Sequence, residues 1–146
     1  MSHSLHKVWL HTIFSTKDRV PLINKKSEQK IYDFIRKELN KMGCSVKAIN
    51  GMPEHLHILY LLNQQKSYAD VIKQIKGSSS HWINEQNIIQ EKFAWQTGYA
   101  TYSVSESVSD KVYQYILNQK KHHETKTFMQ EYEEFMKLYK IENINE

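Results

Sequence analysis

The feature that most constrains the fold of this chain is the mid-chain run His55-Leu56-His57, which leads directly into the apolar stretch from Ile58 to Leu62. Such a stretch predicts a buried β-strand, in which successive side chains point to opposite faces and residues two apart share a face. The pattern therefore sends Leu56 to the core and both imidazoles to the other face. An Asn50-Gly51 pair just upstream is a strong turn signal and predicts a hairpin between the second and third strands.

Hydrophobic spacing places further elements around this hairpin. β-forming residues predict strands at 3–16, 44–49 and 93–104, the last with an extended lead-in. Apolar residues at three- and four-residue spacing predict helices that begin at Ser27, at the capping box Ser67–Asp70 and at the cap Ser107–Asp110. The first helix is expected to end at Gly43, the second to be bent or interrupted near Gly77, and the third to run to His122 or His123. A full capping box at Thr127–Gln130 predicts a last helix.

The predicted order is β-α-β-β-α-β followed by two helices. This is the split βαβ arrangement of an α+β protein, with one antiparallel sheet and its helices on one face, which leaves the other face for a site. The 146 residues include only four Gly and two Pro, and no linker composition interrupts them. We therefore expect a single domain over residues 1–146, with a core at about 6–123 and a C-terminal helical tail at about 127–140.

The charge is distributed unevenly along the chain. Residues 1–123 carry 17 Lys and Arg against 10 Asp and Glu, a net +7, whereas residues 124–146 have a net charge of −3. A basic body is typical of proteins with an anionic partner such as nucleic acid, although a solvated lysine surface without a partner explains the charge equally well. The lone Cys44 and the lack of an apolar leader predict a cytoplasmic protein, and no apolar run approaches the roughly 20 residues that span a bilayer.

The paired histidines and a later tyrosine are the candidate catalytic residues. Two neutral imidazoles on one strand face can hold a divalent metal, which would offset a cost of about 1–3 kcal/mol for each buried unpaired group. On a helix, Tyr115 and Gln119 lie on one face, whereas Tyr113 falls nearly opposite Gln119. A metal, a carboxamide ligand and a phenol nucleophile can together cut a phosphodiester. Each of these residues, considered alone, also has a purely structural explanation. The histidines could be hydrogen-bonded core residues, the tyrosine a core residue and the glutamine a surface residue.

Other residues suit contacts with nucleic acid. Lys76, Ser78 and Ser79 could bind phosphates, which position a nucleic acid without reading its sequence, but a helix kink with solvated serines explains them too. Trp95 could stack on a base, a contact worth about 1–3 kcal/mol, or could belong to the core. The His122-His123 pair invites a zinc interpretation, but no cysteine partner or closed spacing of four ligands accompanies it.

Five motifs in this order resemble the single-tyrosine HUH transposases of the smallest bacterial insertion sequences, the TnpA-type, IS200-like family. The likeness runs from about His6 to Tyr139. The motifs are Asn50-Gly-Met-Pro-Glu-His-Leu-His-Ile-Leu, Ile75-Lys-Gly-Ser-Ser-Ser, Phe93-Ala-Trp-Gln-Thr-Gly-Tyr99, Tyr102-Ser-Val-Ser105 and Tyr115-Ile-Leu-Asn-Gln-Lys-Lys-His-His123.

The resemblance implies a ferredoxin-like HUH fold and a homodimer that cleaves and transfers single-stranded DNA at hairpin-bearing element ends. It makes Tyr115 the nucleophile that forms a 5′-phosphotyrosine, and it makes His55, His57 and Gln119 the ligands of Mg²⁺ or Mn²⁺. In such dimers the active site can be shared between subunits. The alternatives are a transposase-derived protein that binds DNA hairpins without cutting them and, more distantly, a metal-binding protein unrelated to DNA.

Overall fold

The computed structural model describes residues 4–121, 130, 133–134 and 137. In this part of the chain, four strands and three α-helices follow the predicted order, together with short 3₁₀ turns at Lys17–Arg19 and Glu106–Val108. The bounds are β1 Trp9–Ser15, α1 Glu28–Lys41, β2 Ser45–Met52, β3 His55–Leu61, α2 Tyr68–Glu85, β4 Ala100–Val104 and α3 Ser109–Leu117. Residues 127–129 of the predicted capping box Thr127–Gln130, and most of the tail at 127–140, lie outside the described residues.

The four strands form one antiparallel sheet in the order β2-β3-β1-β4. The predicted α+β, split βαβ arrangement is confirmed. Alternation along β3 sends Leu56, Ile58 and Tyr60 into the main core, where they pack with the buried faces of α1 and α2. The histidines at positions 55 and 57 project from the opposite face.

The third helix lies on that opposite face. Its residues Val112 and Ile116 are buried with Trp9, Leu59 and Val104 in a second, smaller cluster. The expectation that the helices lie on one face therefore holds for α1 and α2, whereas α3 covers part of the face that was expected to be open. This packing brings the C-terminal half of α3 beside the histidine strand.

The hairpin forms as predicted, but the turn is not at the Asn-Gly pair. Strand β2 continues through Gly51 to Met52, and the turn follows at residues 53–54. Gly51 pairs with Leu56, and a Cβ atom on Gly51 would clash with the carbonyl oxygen of His55. Glycine is needed here because the two backbones approach closely, and not for a turn conformation.

The helices lie where the sequence predicted them, but the structure differs from the predictions in two details. The Ser67 hydroxyl accepts a hydrogen bond from the Asp70 amide at 3.1 Å, as a capping box requires, but α2 then runs without interruption through Gly77. The predicted cap at Ser107–Asp110 is wrong. The Ser105 hydroxyl instead accepts from the amide of Ser107 and starts a 3₁₀ turn that leads into α3.

The tyrosine helix is shorter than predicted. It ends at Leu117, Asn118 takes φ −93° and ψ 14°, and residues 119–121 are helical again. The prediction of one continuous helix to His122 or His123 is therefore wrong at Asn118. Within the described residues, no helix is both long and apolar enough to cross a bilayer.

Candidate active site

The candidate site lies where the face of β1 and β3 meets α3 and the segment that precedes β4. A cavity of about 310 Å³ opens at this junction. Side chains from all of these elements line it, among them Ser15, His55, His57, Tyr99, Tyr102 and Tyr115. The site is therefore assembled from distant parts of the chain that the sheet topology brings together.

The two histidines share this face as the strand period requires. They are almost fully buried, with 5% of His55 and 3% of His57 exposed. Their ring centroids lie 5.1 Å apart with the planes at 70°. Two imidazoles at this separation can contact the same small ion or substrate group.

Each imidazole makes a hydrogen bond through its Nδ1 atom. The Nδ1 atom of His55 lies 3.0 Å from Oε1 of Glu54, and the Nδ1 atom of His57 lies 2.8 Å from Nε2 of His11. Metal-binding histidines use one ring nitrogen in just such an outer hydrogen bond and the other nitrogen for the metal. With Nδ1 of each ring held in this way, Nε2 is the ring nitrogen that could contact a ligand at the cavity.

The outer partners of the histidines differ in charge. The hydrogen bond from His55 lowers the pKa of Glu54 despite an opposing effect of burial, and the guanidinium of Arg19, 3.9 Å away, contributes to the same shift. Glu54 is therefore an ionised acceptor at neutral pH. Burial lowers the pKa of His11 to about 3, so His11 is a neutral partner of His57.

Tyr115 is the tyrosine that lies at the histidine pair. Its ring centroid is 5.7 Å from that of His57, and the two planes cross at 77°. Both Tyr115 and Tyr113 pack against the second cluster, but Tyr113 is not among the residues that line the cavity, and the Nζ atom of Lys47 lies 5.6 Å from its ring centroid. Of these two tyrosines on the same helix, only Tyr115 lines the cavity.

Gln119 approaches the same pair from the helical turn after Asn118. It is fully buried, and its Oε1 atom lies 3.4 Å from Nε2 of His55. Its Nε2 atom has no hydrogen-bond partner among the described residues, although it is buried. A buried NH₂ group normally has an acceptor, so the site suits a bound group that carries a hydrogen-bond acceptor.

Asn50 and Lys120 connect the end of α3 to β2. The Nδ2 atom of Asn50 donates to the carbonyl oxygens of Ile116 and Leu117, both at 3.1 Å, which caps the end of the helix. The Nζ atom of Lys120 donates to Oδ1 of Asn50 at 2.9 Å and forms an ion pair with Glu28 at 3.0 Å. These contacts hold the segment from Tyr115 to Gln119 against the sheet.

Three of the four residues predicted to contact DNA, Lys76, Ser79 and Trp95, make hydrogen bonds at the segment that leads to the cavity. The Nζ atom of Lys76, whose pKa burial lowers, donates to the carbonyl oxygens of Gln96 and Gly98 at 2.7 Å each. The indole nitrogen of Trp95 donates to the hydroxyl of Ser79 at 2.9 Å. These bonds hold residues 95–98, which lead to the cavity lining.

Ser79 is buried, whereas Lys76, Ser78 and Trp95 are partly exposed. The ring of Trp95 packs edge-on against Phe14 and Phe93, with centroids 4.7 Å apart in both pairs. The hydroxyl of Ser78 is buried and has no hydrogen-bond partner among the described residues. Contact of these residues with DNA stays a prediction.

The donor set at the cavity fits a hard divalent cation. Two imidazole nitrogens and a carboxamide oxygen are ligands compatible with manganese or magnesium, whereas structural zinc sites are usually closed by thiolates or further imidazoles. In the described part of the chain, no three side chains of His, Cys, Asp or Glu are grouped to hold a metal ion. The predicted ligands His55, His57 and Gln119 lie close enough together that they could hold such an ion.

The fold is shared with transposases. A crystal structure of a candidate transposase from Deinococcus radiodurans R1 matches this chain with a TM-score of 0.65 at 24% identity, covering 82% of this chain and 95% of that chain. The structure of a REP-associated tyrosine transposase bound to a REP hairpin matches with a TM-score of 0.61 at 18% identity, covering 84% of this chain and 74% of that chain. The architecture described above thus defines a transposase-type α+β fold.

Sequence comparison identifies the family. Residues 4–119 match the family described as IS200-like transposases, a span that runs from before β1 to Gln119. The ISDra2 transposase TnpA of Deinococcus radiodurans is 24% identical over 120 residues, which make up 79% of this chain and 86% of that protein. The chain belongs to the IS200-like transposase family, which confirms the resemblance drawn from the five motifs.

Proposed function

We propose that this transposase cleaves and transfers single-stranded DNA at hairpin-bearing ends, with Tyr115 as the nucleophile and a divalent cation at His55, His57 and Gln119. The observation that carries the proposal is the convergence of Tyr115 and Gln119 on the buried histidine pair, with 5.7 Å between the ring centroids of Tyr115 and His57 and 3.4 Å between Gln119 Oε1 and His55 Nε2. Family membership supports the reaction class.

The proposed chemistry needs no nucleotide cofactor. The phenol of Tyr115 loses its proton, its oxygen bonds to phosphorus, and the bond from phosphorus to the 3′ oxygen breaks. The 3′ oxygen takes up a proton and leaves as a hydroxyl, while the 5′ end stays linked to the tyrosine. Attack of a 3′ hydroxyl on this link re-forms a phosphodiester, which completes strand transfer. A bound Mg²⁺ or Mn²⁺ supplies Lewis-acid polarisation of the scissile phosphate.

The positive charge of the chain supports an anionic partner such as DNA. Residues 1–123 have a net charge of +7, and Arg19 lines the cavity close to the histidine pair. A related fold has been solved with a REP hairpin, which supports hairpin DNA as the substrate class. We also propose that the chain acts in the cytoplasm as a homodimer of single-domain subunits, with Lys76, Ser78, Ser79 and Trp95 near the DNA.

The proposal is tested with labelled single-stranded oligonucleotides taken from the DNA that flanks the gene, incubated with protein and Mn²⁺. We expect a covalent protein–DNA adduct with the parent protein and with the matched control Tyr113→Phe, and none with Tyr115→Phe. His57→Ala should still bind the hairpin in a gel-shift assay but not cut it. An adduct that persists in Tyr115→Phe would contradict the assignment, and hairpin binding without cleavage by the parent protein would support the alternative of a non-cleaving DNA-binding protein.

A further inference from the structure

His11 is a third histidine at the site that belongs to no predicted ligand set. It lies on β1, directly opposite Leu59 of β3, and its side chain is fully buried. Its ring centroid is 5.0 Å from that of His57 and 6.3 Å from that of Tyr115. The Nε2 atom of His11 and the Nδ1 atom of His57 are 2.8 Å apart, which is a short, buried hydrogen bond between two imidazoles.

A hydrogen bond between two neutral imidazoles requires complementary tautomers. One ring must carry its proton on the shared bond and the other must accept with a lone pair. If His57 donates through Nδ1, its Nε2 atom presents a lone pair to the cavity. If His57 accepts instead, its Nε2 atom carries the proton and cannot bind a cation.

We propose that His11 is a positioning residue that fixes His57 in the Nδ1–H tautomer and holds the plane of its ring, so that Nε2 of His57 is preset as a ligand at the cavity. The proposal deepens the function proposed above and rests on it. Glu54 has the same relation to His55, because its carboxylate can only accept from Nδ1 at 3.0 Å. The two histidines thus have separate outer partners, one ionised and adjacent in sequence, the other neutral and 46 residues away.

The tautomer of His57 can be measured in the full-length, metal-free protein without any reaction. Long-range ¹H–¹⁵N correlation spectra of the histidine rings distinguish protonated from unprotonated ring nitrogens, and His57→Gln assigns the signals. In the parent protein we expect Nδ1 of His57 to be protonated and Nε2 unprotonated. His11→Phe, which keeps a ring but removes the acceptor, should change this pattern for His57 and leave the signals of His55 in place.

A conservative variant separates positioning from packing. In His11→Gln the carboxamide oxygen can take the place of the His11 Nε2 acceptor, so the parent tautomer of His57 should return. Mn²⁺ affinity, followed by the electron paramagnetic resonance signal of free Mn²⁺, should fall by about 10- to 100-fold in His11→Phe, as is typical when an outer partner of a metal ligand is lost. It should recover in His11→Gln.

The possible failures are distinguishable. A parent spectrum with the proton on Nε2 of His57, or an unchanged spectrum in folded His11→Phe, would overturn the role of His11. If His11→Phe does not fold, the spectra of the parent protein and of His11→Gln still test the proposal. Loss of the parent tautomer of His57 in folded His11→Gln would also contradict it. A parent protein with the expected tautomer but no Mn²⁺ binding would instead contradict the proposed metal-dependent function.

Discussion

Replacing Asn50 by alanine should separate the position of the catalytic segment from the stability of the fold. The side chain makes three hydrogen bonds, to the carbonyls of Ile116 and Leu117 at 3.1 Å and from Lys120 at 2.9 Å. At about 0.5–1.5 kcal/mol each, and with water able to replace the bond to Leu117, we expect a loss of about 2 kcal/mol in the free energy of unfolding. The three contacts that this change removes involve Ile116, Leu117 and Lys120. These residues lie between Tyr115 and Gln119 or directly after Gln119.

The effect on cleavage should match that energy. If the same contacts hold Tyr115 and Gln119 at the histidine pair during attack, a loss of about 2 kcal/mol corresponds to a roughly 30-fold slower single-turnover cleavage, since about 1.4 kcal/mol is tenfold. Stability is measured by urea unfolding, and cleavage is followed with saturating hairpin DNA and Mn²⁺ so that binding does not limit the rate.

Asn63→Ala is the matched control. Asn63 donates to the carbonyl of Met42 at 2.9 Å and accepts from the amide of Gln65 at 3.0 Å, and these contacts involve neither α3 nor the segment after it. It should lose a comparable stability, about 1–2 kcal/mol, but cleave at the parent rate. Equal cleavage by Asn50→Ala and Asn63→Ala would refute the reasoning, because it would show that Asn50 contributes stability alone.

Three further outcomes are expected. Gly51→Ala should destabilise the fold by about 1–3 kcal/mol, because the added Cβ atom would clash with the backbone carbonyl oxygen of His55, and an unchanged midpoint of urea unfolding would contradict that contact. Lys76→Met should speed amide hydrogen exchange at residues 96–98, which lose the two bonds of 2.7 Å, whereas Lys73→Met on the exposed side of α2 should not. Because the pKa of Glu54 is lowered in the fold, its carboxylate stabilises the metal-free protein at pH values above the range in which carboxylates usually titrate. This stabilisation is lost as the pH falls through the lowered pKa. Glu54→Gln should therefore be less stable than the parent at pH 7 but not in acid, and a difference that does not depend on pH would refute this.

The local periodicities predicted most of the fold. A period of two in β3 placed Leu56 in the core and its histidine neighbours on the other face, and the spacing of apolar residues located α1, α2 and α3. These features depend on residues close in sequence and on burial, which the amino-acid pattern records directly. The selection of Tyr115 over Tyr113 likewise followed from helix geometry, and the structure places only the former ring at the cavity.

The features that the sequence did not predict depend on distant contacts. Asn50-Gly51 is a strong local turn signal, but the side chain of Asn50 caps α3, and Gly51 allows two strands to approach closely. The contact between His11 and His57 depends on the pairing of β1 with β3, which the sequence did not predict in register. The polar pair His11-Thr12 between apolar neighbours in a predicted strand was the available signal, since such residues need buried partners.

The most direct test of the account is the identity of the residue that carries the DNA. The adduct formed with single-stranded hairpin DNA and Mn²⁺ is digested with nuclease and trypsin, and the tryptic peptide Val112–Lys120, which contains both helix tyrosines, is sequenced by tandem mass spectrometry. We predict a nucleotide phosphate on Tyr115 alone. A nucleotide on Tyr113, or on a residue outside this peptide, would contradict the proposed meeting of Tyr115 with the histidine pair.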